Sequence, residues 1–304
     1  MLAPEQFRRR HLPGATPAPY HTPMAVLYIV STPIGNLEDV TVRAVAILKQ
    51  VDRILAEDTR RTAILLRRYD IGTPLVSAHE HNEAARAEQL VGWLAAGASV
   101  ALVSDAGTPL LSDPGARLVR AVIDAGYDVV PVPGASALLA ALVASGLPQE
   151  PFTFYGFLPR AGKQRGARLA EVAALPHTAI AYESAARLLA LLDDLLAVCG
   201  PARPVVVARE LTKVHETFVR GTLAEVRNTF ADQTVRGEIV VLVGGGERAA
   251  PSADDAARLA ESLLAAGDSP RSVSRELARR LRMPRNEAYA LVLGLTGEEQ
   301  RLKE

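Results

Sequence analysis

Several short stretches hold residue types that could do chemistry. In VALVSDAGTPLLSDPG (100–115) a short apolar run breaks into Ser104, Asp105, Ala106, Gly107, Thr108 and Pro109. Small residues beyond the carboxyl end of a strand bring backbone groups close to a small molecule; an ordinary strand-to-helix connection is the alternative. Asp113 followed by Pro114 predicts an N-cap and the first turn of a helix. In STPIGN (31–36), Pro33 and Gly35 shape a tight turn ahead of a helix N-terminus, which favours a carboxylate or phosphate. AEDTRRT (56–62) puts Glu57 and Asp58 at the same sheet edge, where Asp58 or Thr59 could equally be an N-cap. In SAHEHNE (77–83), His79 and His81 project to one side of an extended segment, but spacing places no third ligand for a metal. VPGASA (132–137) again opens a helix with small residues.

None of these loops is a nucleotide fingerprint. No GxGxxG follows the first strand, no Walker GxxxxGK is present, and Gly244 to Gly246 run from the last strand into a linker. Any site is therefore assembled from several loops.

The elements that must position them alternate. Strands are expected at 26–30, 53–56, 74–77, 99–103 and 128–132, with helices near 41–50, 59–69, 82–96, 114–125 and 135–145. That grammar predicts an α/β fold with a doubly wound, mainly parallel sheet over 25–147. After Gly146 and Pro148 it changes. Strands at 152–156, 178–182, 204–209, 214–220 and 238–243 come with fewer helices, and two are nearly adjacent, which implies antiparallel pairing in a second, mixed α/β domain over 148–246. A helical region, 252–304, follows with three short helices: Ser252 caps the first, Ser269 and Pro270 open the second, and Pro284 opens the third. Residues 1–24, rich in Pro and Arg, read as an unstructured extension, with Met24 a candidate natural start.

Composition narrows the class. With 304 residues, 49% hydrophobic, and a formal net charge of zero, the chain suits a globular protein that meets any polyanion through a local patch. Cys199 is the sole cysteine, which rules out an intrachain disulfide framework and suits a helix-end core residue. The uncharged stretch 129–149 is broken by Pro131, Pro133 and Gly134 and does not read as a membrane span. A cytoplasmic location is expected.

In this order and spacing, STPIGN, AEDTR, HEHNE, VALVSDAGTP, SDPG, VPGASA, SGL, FYGFLPR, YES and VARELTK resemble the tetrapyrrole-methylase-like, class III methyltransferases. The likeness covers about 25–246 and is closest to the branch that 2′-O-methylates a cytidine ribose of 16S rRNA in the small ribosomal subunit. It implies two α/β domains, S-adenosylmethionine folded between them, and a homodimer. Position by position it assigns the cofactor to Pro33 and Gly35; to Ala106, Gly107, Thr108 and Leu111; to Ser136 and Ala137; and to Tyr182, Glu183, Ala208, Glu210 and Leu211. Two departures stand out. YES is usually followed by Pro-His-Arg, whereas Ala185 and Ala186 precede Arg187 here, and the segment after FLPR is less basic than is usual.

The implied donor already carries an electrophilic methyl group, so positioning is the main task, worth about 7–11 kcal/mol, and no metal is required. A carboxylate or neutral imidazole near the ribose hydroxyl would help. Asp58 is the first candidate base, with Glu57, His79 and Lys213 in reserve. For RNA contact the candidates are Arg60, Arg61 and His81; Arg160, Lys163 and Arg165; and, in the tail, Arg279 and Arg280 among six arginines facing the single acid Glu276. Each charge run could instead be a solvated helix face. Methylation of a tetrapyrrole, another small molecule or a protein side chain is the alternative within the fold. A nonenzymatic regulator with a helix-turn-helix near 270–295 is the alternative outside it.

Overall fold

The computed structural model describes residues 25–246, 253–281 and 283–296. The expected extension at 1–24, the Ser252 cap and Arg282 lie outside the described residues. The chain divides into two compact units, one running to Gly244 apart from 174–176, the other holding 174–176 and the C-terminal helices.

The first unit begins with β1 (Val26–Val30), α1 (Val42–Gln50), β2 (Arg53–Ala56), α2 (Thr59–Arg68), β3 (Leu75–Ser77), α3 (Glu83–Ala95), β4 (Val100–Val103), α4 (Ala116–Asp124), β5 (Asp128–Val132) and α5 (Ala137–Ser145). The strands form one parallel sheet in the order β3-β2-β4-β1-β5. VLYIV and VALV are continuous apolar runs because β1 and β4 are buried on both faces at the sheet centre. From β1 the chain crosses toward β2, whereas from β4 it crosses toward β5. The loops after these two neighbours therefore diverge and leave a crevice at the switch point. There Thr32 and Gly107 exchange backbone hydrogen bonds of 2.8 and 3.0 Å.

The second half contains β6 (Phe152–Phe157), α6 (Gly162–Ala174), β7 (Thr178–Ser184), α7 (Leu188–Cys199), β8 (Pro204–Arg209), β9 (Thr217–Thr222), α8 (Leu223–Phe230) and β10 (Glu238–Val243). Its sheet has the order β6-β7-β10-β8-β9, parallel only between β6 and β7. The expected hairpin is β8–β9, but β9 starts at Thr217 rather than 214. Lys213 and Glu216 spend their amides on Glu210 and Lys213 carbonyls in the turn, which leaves Val214 95% exposed. α7 buries Leu188, Leu191, Leu192 and Leu195 at helical spacing, with Cys199 as its last residue. α5 packs its Leu138, Ala141 and Leu142 with Ile180, Val206 and Val240, so the core of the second sheet begins one helix before residue 148.

The second unit holds α9 (Ala253–Ala265), α10 (Pro270–Leu281) and α11 (Arg285–Thr296) around Ala260, Val273, Leu277, Ala288 and Val292. Ser269 caps α10 by accepting from the Ser272 amide. Among the described residues, no helix is long and apolar enough to cross a membrane.

Candidate functional site

The crevice opens into a cleft of about 440 Å³, within the range of sites for small organic ligands. Its floor and walls come from the loops after β1, β2, β4 and β5 on one side and from β7, β10 and Leu211 on the other. Gly107 sits at φ +81°, and a Cβ there would stand 3.1 Å from the Ile34 side chain. Only glycine holds that conformation without strain while leaving the cleft open. Phe154 and Phe157 pack edge-to-face on Tyr182. The result is an aromatic and aliphatic wall beside small residues, Ser136 and Ala137.

The polar side is acidic. Glu57, Asp105, Asp113 and Glu183 all line the cleft, with Glu238 as a fifth carboxylate held by Lys213 and with Arg61 as its arginine. Burial, then the neighbouring charge of Asp105, raises the Glu57 pKa above its usual value. Burial, then Glu57, pushes Asp113 up to about 6. Asp105 is held in place, accepting from the Asp58 amide at 2.9 Å and lying 3.5 Å from the Arg61 guanidinium. Glu183 is the most buried of the four, its side chain 1% exposed. One of its oxygens accepts from the Ser184 amide at 2.8 Å and from Arg187 Nε at 2.7 Å, while Oε2 has no partner. A buried, unpaired carboxylate oxygen on the wall of a cleft needs a donor, and a ligand hydroxyl or cation can supply it.

Of the helix N-termini at the cleft, those of α2 and α4 are filled by the protein's own acids, whereas Ser136 at the start of α5 makes no side-chain cap bond. Asp58 is the N-cap of α2 and accepts from the Arg60 amide at 2.9 Å. The Arg60 guanidinium grips both its oxygens and holds its carboxyl far below the usual range. It does not line the cleft, so among the candidate bases Glu57 takes the position expected for Asp58. At α4 the expected Asp113–Pro114 cap is replaced. Gly115 occupies the N-cap position, and the carboxylate of Glu83, 32 residues earlier, accepts from the Gly115 and Arg117 amides at 3.0 and 2.9 Å. Asp113 is thereby left free to face the cleft.

The other expected residues divide. Ala106, Gly107, Thr108, Leu111, Ser136, Ala137, Tyr182, Glu183 and Leu211 line the cleft, whereas Pro33, Gly35, Ala208 and Glu210 do not. Ala208 is fully buried in the core of the second sheet. Gly35 permits close approach of another kind: a Cβ there would meet the Leu211 carbonyl at 2.8 Å and the Lys213 side chain at 2.5 Å. Lys213 is spent on Glu210 and Glu238, at 2.8 and 2.9 Å, which raises its own pKa and lowers that of Glu210. Neither is placed to act on a ligand. His79 lies off the cleft, edge-on to His81, and its Nδ1 has no hydrogen-bond partner. Among the described residues no group of three or more His, Cys, Asp or Glu could hold a metal ion. Of the RNA candidates, Arg61 reaches the cleft, and Arg60 is bound to Asp58. Arg165 is largely buried against Asp194 at 2.6 Å and serves the fold. Arg279 and Arg280 share Glu276. Sequence reasoning missed Ile34, Ser112, Asp113, Phe157, Ser184 and the Gly237–Val240 segment as lining residues. A glycine opening a charged strand start, Gly237-Glu238, was the one local signal for the last.

Residues 26–227, over half the chain, match the model of the tetrapyrrole (corrin/porphyrin) methylases. A Synechocystis protein named "Ribosomal RNA small subunit methyltransferase I" is 45% identical over 278 residues, covering 90% of this chain and 100% of its own. A Halalkalibacterium halodurans protein of the same name is 51% identical over 226 residues, 74% of this chain and 78% of its own. Among solved structures, the uroporphyrin-III C-methyl transferase of Thermus thermophilus complexed with S-adenyl homocysteine superposes with a TM-score of 0.53 at 22% identity, over 72% of this chain and 96% of that one.

Proposed function

We propose, proceeding from the family to which this chain belongs, the tetrapyrrole (corrin/porphyrin) methylases, that it transfers a methyl group from S-adenosylmethionine to a cytidine 2′-hydroxyl of 16S rRNA. The relatives at 45% and 51% identity carry the ribosomal RNA part of that reading. The cleft's own chemistry carries the cofactor part. Five carboxylates line it, and the N-termini of α2 and α4, two neighbouring helix ends that would attract phosphate, are capped by Asp58 and Glu83. Such a site disfavours an anionic dinucleotide and suits a ligand that is cationic at its sulfonium and amino groups.

The residues present fit that ligand. The Tyr182, Phe157 and Leu211 side would take the flat base, the unpartnered Glu183 Oε2 would accept from a hydroxyl or ammonium, and the space above Gly107 admits the ligand's backbone-side edge. When bound, the cofactor supplies an electrophilic methyl on a positively charged sulfur. The protein's part is to hold a 2′-oxygen in line with it and to receive one proton. Glu57 is the group for the second task. Burial raises its proton affinity, so it accepts the hydroxyl proton as the oxygen–carbon bond forms and the carbon–sulfur bond breaks, then passes it to solvent. Arg61, at the cleft rim beside Asp105, is placed to receive a backbone phosphate of the incoming RNA. Arg160 and Lys163, before and in the first turn of α6, extend this reading to phosphates farther along the strand.

The same reading includes a homodimer in the bacterial cytoplasm. α5 is apolar on every side, yet Leu139 and Val143 are 50% and 73% exposed, an uncovered surface that a second copy would bury. Sedimentation of a Val143→Asp variant tests it, with a shift to monomer as the expected result. The chemistry is tested by tritium transfer from labelled S-adenosylmethionine to 30S subunits and to free 16S rRNA, followed by nuclease mapping. Label on a cytidine ribose is expected. Label on a base, or none on either RNA, overturns the assignment.

A further inference from the structure

The C-terminal unit distributes its charges unevenly. α9 carries Asp254, Asp255 and Glu261 with Arg258, whereas α10 carries Arg271, Arg275, Arg279 and Arg280 against Glu276 alone. Arg271, Arg275 and Arg279 recur every four residues. On an α-helix that places them on one face, about 6 Å apart along the axis, a step similar to that between neighbouring phosphates of one strand. The opposite face is spent on packing, with Val273 and Leu277 fully buried. Arg279 and Arg280 are braced by Glu276, at 2.6 Å each, whereas Arg271 and Arg275 make no ion pair among the described residues.

α10 ends at Leu281 and α11 begins at Arg285. α11 then exposes Arg285, Asn286, Glu287 and Tyr289, the last 47% exposed, while Ala288 and Val292, next to them on the helix surface, enter the core. Two helices close in sequence, with polar and aromatic residues at the start of the second, are a nucleic-acid-reading layout. The partner's form follows from the side chains. The deep groove of an RNA duplex excludes a helix, but unpaired bases can stack on a tyrosine and bond to Asn and Arg.

Resting on the rRNA reading above, we propose that this unit is a second RNA-binding site. It holds an unpaired, looped segment of RNA by phosphates along Arg271, Arg275 and Arg279 and by a base stacked on Tyr289, with Asn286 and Arg285 at that base's edge. The site is separate from the methyl-transfer cleft in its residues and needs no cofactor.

The test uses the full chain and fluorescence anisotropy with two RNA probes, a hairpin bearing an unpaired loop of about eight nucleotides and a blunt duplex of equal charge, each across a salt series. The hairpin should bind more tightly. Arg271→Ala with Arg275→Ala should lower the log-affinity against log-salt slope by about 1.4, two single-strand phosphate contacts. Tyr289→Ala should weaken hairpin binding about 5- to 150-fold, and Tyr289→Phe should restore it. Thermal melts of each variant accompany the binding. Equal affinity for hairpin and duplex, an unchanged salt slope, or a Tyr289→Ala variant that melts normally and binds normally would overturn the proposal. Because binding is read without methyl transfer, a failure of the tritium assay and a failure here are separate results.

Discussion

Asp113 is the residue at which the cleft and the stability of the protein pull apart. Its folded pKa of about 6 stands about two units above an ordinary aspartate, because of burial and then the Glu57 charge. At about 1.4 kcal/mol per unit the ceiling is about 3 kcal/mol; Asp113 is only half-buried, and solvent screening reduces this to about 1–1.5 kcal/mol. The sign follows from proton uptake. Between about pH 4 and 6 the folded chain holds more protons at this site than the unfolded chain, so stability falls as pH rises through that window, and the full penalty is present above it. Asp113→Asn removes the charge and keeps the shape. The variant should be about 1 kcal/mol more stable than the parent at pH 7.5, with the difference shrinking toward pH 5, measured by urea unfolding at steps between those values. It should also bind S-adenosylmethionine more weakly in calorimetry, since a carboxylate facing the cation is gone. Equal or lower stability of the Asn variant at pH 7.5 would refute the reasoning.

The remaining predictions concern neighbouring residues. Glu57→Gln should slow single-turnover methyl transfer by about 10²–10⁴ while cofactor affinity persists. Asp58→Asn should leave that rate unchanged because Asn caps equally well, and Asp58→Ala should lower the melting temperature; a rate loss in Asp58→Asn comparable to that of Glu57→Gln would return the proton-acceptor role to Asp58. Glu83→Ala strands the Gly115 and Arg117 amides at a buried helix end and should destabilise the protein by about 1–3 kcal/mol per amide that finds no water, as read by urea unfolding, with Glu83→Gln milder. Gly107→Leu should abolish S-adenosylmethionine binding in calorimetry, because the left-handed backbone resists it and the side chain would fill the cleft.

How much of this was legible in the sequence depends on whether the cause was local. β1 and β4 announce themselves because burial on both faces demands unbroken apolar runs, and the loops between them follow from strand order alone. Val214 misleads for the same reason in reverse: an apolar residue beside a strand reads as strand, although here it rides the outside of a turn. The Asp113–Pro114 pair has the composition of a helix start, but the acceptor for the α4 amides comes from another helix, and nothing within ten residues records that. Asp58 and Glu57 show the limit most plainly. They are adjacent and chemically alike, and which one caps α2 and which faces the cleft is decided by the reversal of direction along an extended backbone, a matter of register beyond composition.

The cleft's walls are held from outside it. Leu110 and Ser112, in the loop before α4, and Glu210 and Thr212, in the loop after β8, have positive φ, a conformation that costs each such residue roughly 1–3 kcal/mol. Strain of that size persists only where the surroundings fix it. The first loop is pinned at Gly107 by the Thr32 bridge and at Gly115 by Glu83. In the second, Thr212 accepts from the Asn36 amide and donates its own amide to Glu216, and the Lys213 side chain spans Glu210 and Glu238. The turn after β1 takes part in both sets, through Thr32 and through Asn36, with Gly35 between them allowing the second loop to approach. Gly35 therefore shapes the cleft at one remove. It sets how closely the two loops approach, and a preformed gap between rigid loops spares an incoming ligand the entropy of ordering them.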